Sequence, residues 1–95
     1  MFSYISADKL NNIKDGLIID IRSSNKYSDG HILNAVNIFS DILLKNPYNY
    51  LDKGSKYYIY CQKGHKSLQV CKLLSSMGFN IINIDGGYEA WILNN

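Results

Sequence analysis

Residues 58–67 combine one cysteine, one glycine and two lysines in an order that could activate a thiol beside an anion. An apolar run ending at Tyr60 precedes Cys61, and a helix is predicted over residues 67–77. Cys61 would therefore follow a buried strand and lie under the N–H groups of a loop and the positive end of a helix. Such groups favour a thiolate and attract an anion. The pattern predicts a sulfur nucleophile that works on an anionic substrate.

The loop after Cys61 supplies the candidate substrate-binding residues, which are Gln62, Lys63, Gly64, His65, Lys66 and Ser67. Gly64 permits a positive φ and a close approach of the backbone to the sulfur. Lys63 and Lys66 add positive potential. The Ser67 hydroxyl either caps the following helix or hydrogen-bonds the sulfur, and His65 either contacts the substrate or points to solvent.

Apolar runs predict the strands that would position this loop. They cover residues 17–21, 35–38, 57–60 and 81–84. Short helices are predicted over residues 6–13, 40–44, 67–77 and 88–93, and residues 25–30 form a turn or a short helix. The apolar face of the helix over residues 67–77 is predicted to hold Leu68, Cys71, Leu74 and Met77. Cys71 is thus expected to be buried and inert, about three helical turns from Cys61.

The alternation of strands and helices implies an α/β fold with a parallel sheet and helices on both faces. In such sheets ligands bind outside the carboxyl ends of the strands. Asp20, Cys61 and Asp85 are each predicted to lie at such an end. Asp20 and Arg22 are expected to form a structural set of hydrogen bonds or an ion pair there.

The bulk properties exclude several classes of function. We expect the 95 residues to form one domain, over residues 1–95, and a net charge of +2 is too small to indicate nucleic-acid or membrane binding. The start of the chain lacks the features of a signal peptide, so a cytoplasmic, reducing setting is expected. The two cysteines, with His31 and His65, do not match a zinc spacing, so no metal site is predicted.

Four segments together resemble the rhodanese-like family of single-domain sulfurtransferases. They are D-I-R at residues 20–22, Y-S-D-G-H-I-L-N-A-V-N-I at residues 27–38, Y-C-Q-K-G-H-K-S at residues 60–67 and D-G-G-Y-E-A-W at residues 85–91. They occur in the family's order and cover nearly the whole chain. The resemblance implies a three-layer fold with a central parallel sheet of about five short strands.

The resemblance also implies an activity, that of a thiosulfate sulfurtransferase without a cofactor. Cys61 would take sulfane sulfur from thiosulfate or another persulfide, and would pass it to cyanide or to a thiol, including one on a partner protein. Asp20, Arg22 and His31 would support the site, with His31 hydrogen-bonding a backbone group.

Two alternatives to this activity follow from the loop itself. Lys66 stands where the family usually has arginine and loses the bidentate fork, so a non-enzymatic module that binds a partner or carries sulfur stays open. Cysteine phosphatases and arsenate reductases have a longer loop, with arginine at the position that Ser67 holds here. The shorter loop favours sulfur transfer over phosphate or arsenate chemistry.

Overall fold

A five-stranded parallel sheet forms the centre of the computed structural model, which describes residues 2–94. Its strands are β1 (Ser3–Ser6), β2 (Leu17–Asp20), β3 (Val36–Asn37), β4 (Lys56–Tyr60) and β5 (Asn80–Asp85). They lie in the order β1-β5-β4-β2-β3, and each neighbouring pair is parallel. The strand that precedes Cys61, β4, is therefore the middle one.

Both faces of the sheet are buried, as a parallel sheet requires. Successive side chains of β4 point to opposite faces. Tyr57 and Ile59 belong to one core cluster, whereas Tyr58 and Tyr60 belong to the other. A strand in the middle of the sheet therefore needs apolar residues at consecutive positions. This explains the continuous apolar runs in the sequence.

Helices cover the two faces. They are α1 (Ser24–Asp29), α2 (Ser40–Lys45), α3 (His65–Ser76) and α4 (Gly87–Leu93), with 3₁₀ helices at Ala7–Asn12 and Pro47–Asn49. Leu43 of α2 and Leu74 of α3 pack on one face, and Leu10 of the first 3₁₀ helix packs on the other, together with Trp91 of α4. None of the helices in residues 2–94 has the length and apolar character needed to span a bilayer.

The predicted α/β architecture is confirmed, although the apolar runs of the sequence do not indicate one of the strands. Strand β1 pairs with β5 at an edge of the sheet, and only Ile5 among its residues is even partly buried. Such a strand carries no long apolar run, so periodicity could not reveal it.

Helix α3 differs from its prediction at its start and in its buried face. It begins at His65 rather than Ser67, and its first-turn N–H groups follow Gly64. Its buried residues are Ser67, Val70, Cys71 and Leu74, whereas Leu68 and Met77 are each 37% exposed. The observed set follows the i, i+3, i+4, i+7 spacing of a helix face. Hydrophobicity alone had favoured Leu68 over Ser67, which the loop needs inside.

Candidate active site

Cys61 lies directly after β4, in the middle of the carboxyl edge of the sheet. Strand β4 is flanked by β2 and β5, so their carboxyl ends flank Cys61 on both sides. The residue is 7% exposed and belongs to the core cluster that α3 covers. A thiol in this position is fixed by the core beneath it and faces the loop above it.

Two backbone N–H groups point at the sulfur. The N–H groups of Gly64 and Ser67 each donate to Cys61 Sγ at 3.2 Å. Gly64 has φ +101°, a conformation that costs a side-chain-bearing residue energy. Because hydrogen bonds to the charged form favour that form, this pair of donors stabilises a sulfur anion.

The Ser67 hydroxyl does neither of the two things expected of it. It donates to the carbonyl oxygen of Gly64 at 3.2 Å, so it neither caps the helix as the residue before its first turn nor bonds the sulfur. The bond closes the first turn of α3 and holds the Ser67 N–H in place. The side chain is fully buried. It therefore acts on the sulfur through the backbone.

The start of α4 supports the back of the loop. The N–H of Tyr88 donates to the Cys61 carbonyl oxygen at 2.9 Å, and the N–H of Glu89 donates to the Gln62 carbonyl oxygen at 3.1 Å. The Gln62 side chain also donates to Glu89 at 3.2 Å. With these carbonyls directed toward α4, the loop cannot rotate its peptide groups freely.

Gly87 makes this close approach possible. A Cβ at Gly87 would overlap the carbonyl oxygen of Cys61, and it would come 2.9 Å from that of Gln62. The residue also has φ +63°. The sequence indicates only a turn at residues 86–87 and does not reveal this contact. The paired glycines were a visible signal, but the loop they contact is far away in sequence.

A buried ion pair lies beside the loop, as predicted for Asp20 and Arg22. Arg22 Nη2 is 2.6 Å from Asp20 Oδ2, and the Tyr60 hydroxyl donates to the same oxygen at 2.6 Å. Burial raises the pKa of Tyr60, and its hydrogen bond to Asp20 raises it further. Burial opposes the charge on Arg22, but its hydrogen bond to Asp20 and the Asp20 charge outweigh burial and raise the pKa of Arg22. Both groups are thereby held in their protonated forms.

Arg22 also connects this network to the loop. Its Nη1 donates to the Gln62 side-chain oxygen at 3.0 Å, and its Nη2 donates to the Gly30 carbonyl oxygen at 2.7 Å. The guanidinium lies 4.3 Å from the ring centre of Tyr88. Arg22 thus joins the loop, α4 and the segment after α1 into one arrangement.

Cys61 lines the floor of an open cavity of about 450 Å³. The structure brings most of the predicted loop residues to it, since Cys61, Gln62, Lys63, His65 and Lys66 all line it with Arg22. Gly64 and Ser67 instead face the sulfur from the protein side. Lys66 remains largely exposed and lies 4.0 Å from Asp41, and His65 is also exposed.

His31 lies apart from this cavity and makes the backbone contact predicted for it. Its Nδ1 is 2.8 Å from the Tyr27 carbonyl oxygen, and its ring stacks on that of Tyr27 with centroids 3.8 Å apart. Asp85, which was also placed at a strand end, is exposed and accepts a hydrogen bond from Asn83 at 3.2 Å. Neither residue lines the Cys61 cavity.

Cys71 is the second free thiol of the described residues, and it is fully buried. Its Sγ donates to Asn83 Oδ1 at 3.7 Å. Burial raises the pKa of Cys71 to about 12, with a smaller contribution from the charge of Cys61. Cys71 lies one helical turn beyond Ser67, whose N–H donates to the Cys61 sulfur. The two thiols are therefore separated by less than the predicted three turns. In residues 2–94 no group of three or more His, Cys, Asp or Glu side chains could hold a metal ion.

The chain is similar to known proteins along nearly its whole length. The family described as "Rhodanese-like domain" matches residues 6–94. YtwF of Bacillus subtilis is 39% identical over 75 residues, which are 78% of this chain and 71% of YtwF. The thiosulfate sulfurtransferase GlpE of Coxiella burnetii is 31% identical over 90 residues, which are 94% of this chain and 83% of GlpE. Other relatives are longer: the chain spans 13% of a tRNA sulfurtransferase of Thermoplasma acidophilum, with 38% identity over 65 residues.

A solved structure shows the same fold. The crystal structure of a rhodanese-related protein from Thermoplasma volcanium superposes with a TM-score of 0.88 at 30% identity. The match covers 99% of this chain and 94% of that one.

Proposed function

Because the chain belongs to the rhodanese-like domain family, we propose that it is a sulfurtransferase that carries sulfane sulfur as a persulfide on Cys61. Relatives named as sulfurtransferases support sulfur transfer in general. One observation carries the assignment to Cys61: its sulfur receives two backbone N–H groups, and the residue also lines an open cavity. A nucleophile needs both stabilisation of its anion and access to substrate.

In the first step the Cys61 thiolate attacks the outer sulfur of thiosulfate. A bond forms between Cys61 Sγ and that sulfur, and the sulfur–sulfur bond of thiosulfate breaks. Sulfite leaves with the bonding electron pair, so the step needs no external oxidant or reductant. A general base is also unnecessary because the attacking group is already an anion.

In the second step an acceptor thiolate attacks the outer sulfur of the Cys61 persulfide. The new sulfur–sulfur bond forms on the acceptor, and the bond to Sγ breaks. Sγ leaves as a thiolate, which the N–H groups of Gly64 and Ser67 stabilise as they did before the cycle began. Free thiols are needed throughout, so we assign the reaction to a reducing compartment such as the cytoplasm.

Positive charge at the cavity suits an anionic donor. Lys63 and Lys66 line it, and the Arg22 charge is matched by Asp20 beneath it. Lysine is a strongly hydrated point charge rather than a planar fork, so Lys66 attracts an anion without fixing its orientation. This favours a site that accepts thiosulfate and also persulfides of other shapes.

A burst of sulfite tests this proposal. Reduced protein mixed with excess thiosulfate and no acceptor is expected to release about one equivalent of sulfite per chain and then stop. Cys61→Ser should release none. Release of sulfite by Cys61→Ser at the wild-type level would overturn the assignment. Absence of a burst in wild type would exclude thiosulfate, and glutathione persulfide would then be the donor to test.

A further inference from the structure

An apolar groove continues from the Cys61 cavity along α2. It has a volume of about 410 Å³ and shares Phe39 and Ser23 with that cavity. Its other lining residues are Ser24, Asn37, Ile38, Ile42 and Tyr50. We call this surface the α2 groove. Phe39, Ile42 and Tyr50 are 38%, 48% and 43% exposed, so one continuous apolar surface faces solvent beside the nucleophile.

The groove is held firmly by the sheet beneath it. The Ser40 N–H donates to the Ile21 carbonyl oxygen at 3.1 Å, which fixes the start of α2 beside the end of β2. Leu43, on the inner side of α2, is fully buried. Ile42 is exposed because it lies on the face of α2 opposite to the one that packs on the sheet. The exposure of the groove is therefore a property of the packed fold.

The charged side chains that line the cavity beside the groove are all basic. Lys26, Lys63 and Lys66 line the adjoining cavity. No Asp or Glu is among the described residues that line either the cavity or the groove. Asp41, which lies near Lys66, contacts it only at 4.0 Å. A partner that fits both surfaces would combine apolar side chains with negative charge.

We propose that the α2 groove docks a protein acceptor: an extended segment whose apolar residues fill the groove, whose acidic residues meet the lysines, and whose cysteine receives the sulfur. This inference rests on the proposed sulfurtransferase function. The cysteine thiolate attacks the outer sulfur of the Cys61 persulfide, and Sγ leaves as a thiolate. A small thiol would use only the cavity, whereas an open groove beside it adds apolar contacts that an extended chain can make.

Acceptor kinetics provide the first test. Protein loaded with thiosulfate is mixed with a short synthetic peptide that has one cysteine between leucines and glutamates. This peptide is expected to react roughly tenfold faster than its lysine-containing counterpart at low salt, with a smaller difference at high salt. Ile42→Ser should slow the acidic peptide roughly fivefold, measured against the rate with cyanide.

A matched variant controls for the loss of an exposed isoleucine. Ile92 is 50% exposed on α4 and lines neither surface, so Ile92→Ser should react with the peptide at the wild-type rate. Equal rates for both peptides, together with no effect of Ile42→Ser, would overturn the proposal. A faster reaction with glutathione than with either peptide would also overturn it, in favour of a small-molecule acceptor.

Direct binding separates this inference from the proposed function. The acidic peptide with serine in place of cysteine is titrated into protein that carries no persulfide. Amide resonances of Phe39, Ile42 and Tyr50 are expected to shift, and Ile42→Ser should weaken binding roughly fivefold. If these resonances shift but the protein forms no persulfide with a sulfur donor, docking is supported and sulfur transfer is refuted. No shifts at millimolar peptide would overturn the docking site even if the persulfide forms.

Discussion

The two cysteines of this chain belong to the same core cluster, yet their surroundings differ completely. The Cys61 sulfur receives the Gly64 and Ser67 N–H groups and borders an open cavity. The Cys71 sulfur faces Asn83 at 3.7 Å, is shut off from solvent, and has a raised pKa because of that burial. The Cys61 sulfur thus lies among donors that would stabilise a negative charge, whereas burial keeps the Cys71 thiol neutral.

Burial alone does not decide whether a thiol is reactive. Both residues are almost completely removed from water. The difference arises from the direction of backbone groups, since Cys61 ends a strand beneath a loop, whereas Cys71 lies inside α3, where the backbone N–H groups are engaged in the helix. A loop and the first turn of a helix can offer a side chain unpaired N–H groups, whereas a helix interior cannot.

Replacement of each cysteine should give the largest contrast. Cys61→Ser is expected to lower the rate of thiocyanate formation from thiosulfate and cyanide by about a thousandfold or more, because serine is not an anion at neutral pH. Cys71→Ser should keep activity within a few-fold of wild type. Comparable losses in the two variants would show that the two thiols do not have separate roles.

The next effect comes from removing the support that orients the loop. Gly87→Ala is expected to lower activity at least tenfold and to destabilise the protein by about 2 kcal/mol, because the added Cβ meets the Cys61 carbonyl oxygen at a positive φ. The measurements are the cyanide assay and urea unfolding.

Gly54→Ala is the matched control, since its Cβ would meet nothing closer than 3.4 Å. It should leave activity within a factor of about two of wild type. Wild-type activity in Gly87→Ala would mean that the orientation of the loop does not depend on α4.

A smaller effect is expected from the charge that faces the donor. Lys66→Arg should lower the Michaelis constant for thiosulfate about threefold, because a guanidinium offers two parallel donors to an anion. Lys72→Arg, an exposed lysine further along α3, serves as control. An unchanged Michaelis constant in Lys66→Arg would count against a direct role of this position in donor binding.

The smallest effect concerns stability at alkaline pH. The native state keeps Cys71 protonated up to a pKa of about 12, whereas an unfolded thiol ionises near 8.5. The unfolded state therefore binds fewer protons in this range, and stability contributed by Cys71 is lost as pH rises above about 8.5. The free energy of unfolding, measured with urea between pH 8 and pH 10.5, should fall with rising pH in wild type. In Cys71→Ser it should fall less steeply, by about 1.4 kcal/mol per pH unit. The pKa of Tyr60 is also raised, but Tyr60 is present in both proteins and affects them equally. Equal slopes would therefore show that burial does not raise the pKa of Cys71.

Local sequence patterns predicted most of the parallel sheet because buried parallel strands are continuous apolar runs. They also located Cys61 and its loop, since the cysteine, glycine and lysines are close in sequence. They could not reveal β1, whose exposed residues carry no apolar run. Nor could they reveal the contact of Gly87 with Cys61, because it joins residues distant in sequence. Ser67 was misjudged because its buried role depends on the turn that Gly64 begins.

Mass spectrometry of the reduced protein after incubation with thiosulfate shows directly whether Cys61 carries a persulfide. We expect a gain of about one sulfur atom in wild type and Cys71→Ser, located on the peptide that contains Cys61 and removed by cyanide or dithiothreitol. Cys61→Ser should gain nothing. A sulfur found on Cys71, or no adduct in wild type with either thiosulfate or glutathione persulfide, would show that Cys61 is not the sulfur carrier.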